Sequence, residues 1–92
     1  MFTYDLVDLR LFSAAARAGS VSQAASEVHL AVSSASARLK AFEARSGVKL
    51  FERRPHGVDL MPAGVETVHA VRAMLHDAEV LESVLTRFRR NH

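Results

Sequence analysis

The strongest constraint in this chain is a stripe of apolar residues toward its carboxyl end. Val71, Met74, Ala78, Leu81, Leu85 and Phe88 are separated by three, four, three, four and three positions. That is the heptad spacing of a helix that packs lengthwise against another helix. Val65, Val68, Leu75 and Val84 widen the stripe beyond what one packed face requires. Pro62 suits the first position of such a helix, where its missing N–H is no loss. Arg87, Arg89 and Arg90 gather at the far end, where cations favour the helix dipole. A helix from about residue 62 to about residue 89, rising roughly 1.5 Å per residue, outreaches a body of about sixty residues. The seam therefore predicts a homodimer, with those six residues at the contact.

A chain of 92 residues makes one small domain, whose core is marginal without help. With no cysteine, neither a disulfide nor a cysteine-based zinc site can supply that help. Helix packing and oligomerisation remain. Hydrophobic residues at 49% and charged residues at 24% place the chain among globular proteins rather than disordered ones. No apolar run is long enough to span a bilayer, and no basic-then-apolar signal pattern follows Met1. A cytoplasmic protein with no membrane partner is expected.

Ahead of the long helix, three shorter ones are legible. Asp5 reads as an N-cap, with Asp8 in a capping-box-like position. Leu6, Leu9, Phe12 and Ala16 give the first helix an apolar face, and Gly19 ends it. Ser20 with Gln23 repeats the capping pattern before a short helix whose apolar face is Val21, Ala24, Ala25 and Val28. His29 and Leu30 fall at the turn, and histidine tolerates positive φ better than most residues. A third helix is predicted from Val32 to Ser46, apolar at Ala35, Leu39 and Phe42, with Ser33, Ser36, Ala37 and Lys40 opposite and Gly47 closing it. The period then changes to alternation. Val48, Leu50 and Phe51 lead into Glu52-Arg53-Arg54; Pro55-His56-Gly57 is a turn; Val58-Asp59-Leu60 alternates again. These make a two-stranded hairpin.

Helix, short helix, tight turn, helix, hairpin and long helix is the order of a winged helix-turn-helix: a mainly α fold with a three-helix body, a two-stranded wing and a dimerisation helix. Residues 1–61 are read as the DNA-binding body and 62–92 as the linker and dimerisation helix. In this arrangement the third helix enters the major groove and the wing reaches backbone or minor groove. Charge agrees. From Arg38 to Arg54 six basic residues face two acidic ones, a net +4, while the rest of the chain is net −2. Concentrated positive charge suits double-stranded DNA as a partner, although a solvated helix face and hairpin would carry it equally well.

Several motifs resemble the LysR-type bacterial transcription regulators. Leu9-Arg10-Leu11-Phe12 and Ala18-Gly19-Ser20-Val21-Ser22-Gln23-Ala24-Ala25 look like that family's opening. Leu39-Lys40-Ala41-Phe42-Glu43, Gly47-Val48-Lys49-Leu50-Phe51-Glu52-Arg53, and Val58-Asp59-Leu60 before Pro62-Ala63-Gly64 follow in its order and spacing. The resemblance covers the chain from about Leu6 to the last helix. It implies sequence-specific binding to duplex DNA as a two-fold dimer whose last helices lie antiparallel. Ser22 and Gln23 match backbone-contacting positions. Val32, Ser33, Ser34, Ser36 and Ala37 occupy the start of the recognition helix, with Arg38 and Lys40 beyond. Arg53, Arg54 and His56 form the basic wing. Ala31 replaces the usual serine cap, Val32 a glutamine that often reads a base, Ala37 an arginine found in many members, and Met61 a threonine. In the family a ligand-sensing domain follows, so a small-molecule effector would act only through a domain outside these residues.

Other chemistries find little support. Arg38 could brace a carboxylate instead of touching DNA. His69 and His76 have no partners that would complete a metal set. No Gly-rich phosphate loop and no convincing nucleophile, base and acid constellation is present, so neither catalysis nor a cofactor is expected. The competing readings are a helical protein-interaction module, and a free-standing winged-helix protein such as a relative of the molybdate-responsive regulators.

Overall fold

The computed structural model describes residues 4–89. The order is α1 (Leu6–Ala18), α2 (Val21–Glu27), α3 (Val32–Ser46), β1 (Phe51–Arg54), β2 (Gly57–Leu60) and α4 (Pro62–Arg89). Arg90 lies outside the described residues.

Local chemistry sets the boundaries. The Asp5 carboxylate accepts the Val7 N–H at 2.8 Å, and Gly19 turns the chain out of α1 at φ 67°. Ser20 Oγ accepts the Gln23 N–H at 3.2 Å, starting α2 at once. The turn between α2 and α3 uses His29 at φ 59°, and the Leu30 N–H returns to the Ala25 carbonyl at 2.9 Å. No side chain caps α3, because Ala31 stands where an acceptor would be. Gly47 closes α3 at φ 74°.

One core joins all these elements. Leu9, Leu11 and Phe12 of α1 meet Leu39 and Phe42 of α3, with the Phe12 and Phe42 ring centroids 5.4 Å apart. Ala24, Ala25 and Ala35 are almost fully buried, so α2 and α3 cross with little side chain between them. Leu50, Phe51 and Val58 seal the hairpin side, and Val68 and Val71 bring the first half of α4 into the same cluster.

The wing is an antiparallel pair with Phe51 opposite Leu60 and Arg54 opposite Gly57. The Gly19 carbonyl holds it to the body by accepting the Val58 N–H at 3.0 Å, and the Leu50 carbonyl closes the base of the hairpin by accepting the Met61 N–H at 2.9 Å. A methyl group on Gly57 would lie 2.0 Å from the Gly19 carbonyl oxygen, and one on Gly64 would lie 2.0 Å from that of Leu50. Both sites require glycine because backbone meets backbone there.

Four expectations change. Leu6 is 43% exposed, whereas Leu11, Ala14 and Ala15 are buried, so the packed face of α1 is rotated from the one its spacing suggested. Asp8 is no capping residue: it is 5% exposed and pairs with α3. Val48 is exposed and β1 begins only at Phe51, because Glu43 Oε2 accepts the N–H groups of Leu50 and Phe51 at 2.8 and 3.2 Å. Val71 is 3% exposed within this chain's own core, so it serves the body rather than a seam.

Candidate nucleic-acid interface

The first turns of α2 and α3 come to one surface beside the wing. Ser22 and Gln23 are exposed at the start of α2, and Val32, Ser33, Ser34 and Ala37 at the start of α3, with Lys40 one turn further. Packing places them there: Ala35, Leu39 and Phe42 occupy the opposite face of α3 and anchor it to α1. An open cleft separates this surface from the hairpin, lined by Ser20, Ser22 and Val32 on one side and Arg53, Arg54 and His56 on the other.

The two wing arginines differ. Arg53 Nη1 donates to Ser36 Oγ at 2.9 Å, so the wing and α3 are cross-linked by a side-chain hydrogen bond. Arg54 lies along the hairpin, its Nε 2.7 Å from Asp59 Oδ2 and its Nη2 3.6 Å from Glu52. His56 Nε2 is 3.4 Å from the same Asp59 oxygen, an ion pair only when the imidazole is protonated. The wing tip is therefore less positive than its sequence implies. Arg53 is the wing cation aimed at the α3 surface.

Arg38 is diverted from it. Its Nη1 donates to Asp8 Oδ1 at 2.8 Å and stands 3.7 Å from Asp5. The hydrogen bond to Asp8 and then the Asp8 charge raise the guanidinium pKa further above its ordinary value, so this side chain is always charged. Arg45 Nη2 reaches the other Asp8 oxygen at 3.2 Å. One buried carboxylate on α1 thus holds two cations of α3 a little under two helical turns apart, and fixes how α3 lies on the body. This triad was missed in the sequence, where Asp8 matched a local capping pattern. The net +4 counted from Arg38 to Arg54 is correspondingly offset by Asp5, Asp8 and Asp59.

Beyond the body, α4 carries a second surface. Met74, Val80, Leu81, Val84, Leu85 and Phe88 are exposed, while Ala78 is half-buried. With Leu6 and Arg10 of α1, the outer part of α4 walls an open groove that includes Leu81, Glu82 and Arg87. Arg89 ties back to Glu82 at 3.2 Å and Arg87 lies over the Phe88 ring at 5.4 Å. Among the described residues no group of three potential metal ligands occurs, and no helix is long and apolar enough to cross a membrane.

Comparison with known proteins agrees with this architecture. The sequence model of the bacterial regulatory helix-turn-helix proteins of the lysR family matches residues 6–65. The HTH-type transcriptional regulator CzcR of Bacillus subtilis is 36% identical over 80 residues, which are 87% of this chain and 28% of that protein. The chain thus spans a little over a quarter of that relative's length. Among solved structures, the DNA-binding domain of CbnR in a DNA complex superposes with a TM-score of 0.84 at 28% identity, covering 91% of this chain and 97% of the other. The BenM DNA-binding domain in complex with catB site 1 DNA gives 0.89 at 25% identity, covering 97% of this chain and all of the other. A match across most of the chain, together with the element order and the docked wing, shows that this protein belongs to the lysR family of bacterial regulatory helix-turn-helix proteins.

Proposed function

We propose that this chain is the DNA-binding and dimerising portion of a transcription regulator that recognises an inverted repeat in duplex DNA. The observation that carries the reading is the single surface formed by the exposed starts of α2 and α3 and the adjoining wing. An exposed helix start beside a hairpin suits a helix entering the major groove while the hairpin follows the backbone. That the similar CbnR and BenM domains were solved in complex with DNA supports a duplex as the partner of this surface. In this reading Ser22, Gln23, Lys40 and Arg53 contact phosphates, Val32, Ser33, Ser34 and Ala37 face base edges, and Ser36 steadies Arg53 beside them. Arg54 and His56 sit at the wing's outer edge, and Arg38 acts through Asp8 by orienting α3.

Dimerisation follows from the outer part of α4. Met74, Leu81, Leu85 and Phe88 form an apolar face that the body does not cover, with Ala78 between them. Two such helices side by side remove both faces from water, and a two-fold axis places two recognition helices on one duplex. A small-molecule effector belongs to a further domain of the full regulator, and the proposed location is the cytoplasm.

The test is selection of bound duplexes from a random pool by the purified chain. Enrichment of two inverted half-sites is expected. Recovery of an unenriched pool, or of single half-sites alone, would refute sequence-specific binding as a two-fold dimer.

A further inference from the structure

The recognition surface is short of the groups that usually read bases. Strong discrimination in the major groove comes from bidentate arginine or lysine on guanine and bidentate asparagine or glutamine on adenine. The first two turns of α3 hold Val32, Ser33, Ser34, Ala35, Ser36, Ala37 and Arg38. Ala35 is buried, Arg38 is tied to Asp8 and Asp5, and Ser36 already accepts from Arg53. What remains free to meet a base edge is hydroxyl and methyl.

Val32 stands out among these groups. It is 51% exposed at the first position of α3, outside the core formed by Ala35, Leu39 and Phe42. It also lines the cleft between the start of α2 and the wing, where Arg53 and Ser22 would bracket a DNA strand. A branched apolar side chain contributes little to helix formation there, and leaving it in water gains nothing. The major groove offers one apolar group that marks sequence, the C5-methyl of thymine, which A·T pairs carry and G·C pairs lack. A valine can neither donate nor accept a hydrogen bond, so it distinguishes bases through that methyl or not at all.

We propose that Val32 is a specificity-determining residue that selects thymine at one position of each half-site by packing on its C5-methyl group. The proposal rests on the DNA-binding reading above and adds what the recognition helix reads. Serine hydroxyls donate or accept equally well and discriminate weakly, so this methyl contact is the main direct apolar readout of the helix.

The experiment uses the purified chain and a duplex it has selected from random DNA. Each thymine is replaced singly by deoxyuridine, which keeps every hydrogen-bonding group and removes only the methyl. One thymine per half-site should lose about fourfold in affinity, the worth of one buried methyl group, and about tenfold or more when both half-sites are changed. Cytosine at that position should bind worse than thymine, and 5-methylcytosine should recover part of the loss. Val32→Ala should flatten the deoxyuridine profile. Val32→Thr, which keeps one methyl in place, should retain part of it. A flat profile in the wild type overturns the proposal, as does a profile that persists in Val32→Ala. Failure of the wild type to bind any duplex overturns the DNA-binding reading and this proposal together, so the two failures are distinguishable.

Discussion

Replacing Gly64 with alanine sets two physical effects against each other. On helix propensity alone, alanine in place of glycine within α4 should stabilise the protein by about 1 kcal/mol. The packing predicts the opposite sign. An added Cβ would stand 2.0 Å from the Leu50 carbonyl oxygen, 3.0 Å from its carbon and 3.1 Å from Leu60 Cδ2. The oxygen belongs to backbone and cannot rotate aside, so α4 must retreat by roughly an ångström, an overpacking shift that costs about 1–3 kcal/mol. Retreat also stretches the 2.9 Å hydrogen bond from the Met61 N–H to that carbonyl, at about 1 kcal/mol. Offsetting the propensity gain leaves a net loss of about 1–3 kcal/mol, or a fall in Tm of roughly 5–20 °C for a domain of this size. Thermal denaturation by circular dichroism, at one fixed protomer concentration because self-association would couple to folding, reads the difference. Gly47→Asn is the control: Gly47 has a left-handed φ of 74° but no atom within 4 Å of an added Cβ, and asparagine tolerates that conformation. A Tm for Gly64→Ala equal to or above wild type would refute the close approach of α4 to Leu50.

Three further outcomes follow from the interface and the caps. Ala31→Ser supplies the acceptor that α3 lacks and should stabilise the domain by about 1 kcal/mol in the same melt; no gain would mean that another group already satisfies those N–H donors. Alanine at both Arg53 and Arg54 should weaken specific and unrelated duplexes alike in an anisotropy titration, since these residues position rather than read; loss confined to the specific site would reverse that role. Leu81→Glu with Leu85→Glu places charges on the exposed face of α4 and should yield a monomer in sedimentation, with most affinity for a two-half-site duplex lost; an unchanged dimer would put the contact elsewhere.

Much of the architecture was legible because its boundaries are local. Gly19 and Gly47 end helices through their own backbone freedom, Ser20 starts one through its own side chain, and Pro62 opens another. The predicted ranges Val32–Ser46 and Pro62–Arg89 match those of α3 and α4. What escaped the sequence depends on residues far apart in the chain. Asp8 lies 30 positions from Arg38 and 37 from Arg45, so no local pattern could mark it as the carboxylate that holds α3. Glu43 takes the N–H groups of Leu50 and Phe51 only because the chain folds back after Gly47. Val71 shares heptad spacing with Leu81 and Leu85, and period alone cannot tell the half of a helix that lies on its own body from the half that extends past it. The surface residues of α3 followed from their period. Which of them are free to meet DNA did not, because Ser36 and Arg38 are claimed by partners on other elements.

The most direct test of the central claim is the affinity of the purified chain for duplex DNA across a range of salt concentrations. If the α3 surface and the wing neutralise phosphates through Lys40 and Arg53 of two protomers, four phosphates are neutralised, and log K should fall against log salt with a slope of about −3.6 or steeper. Affinity that stays constant from low to physiological ionic strength would contradict the account.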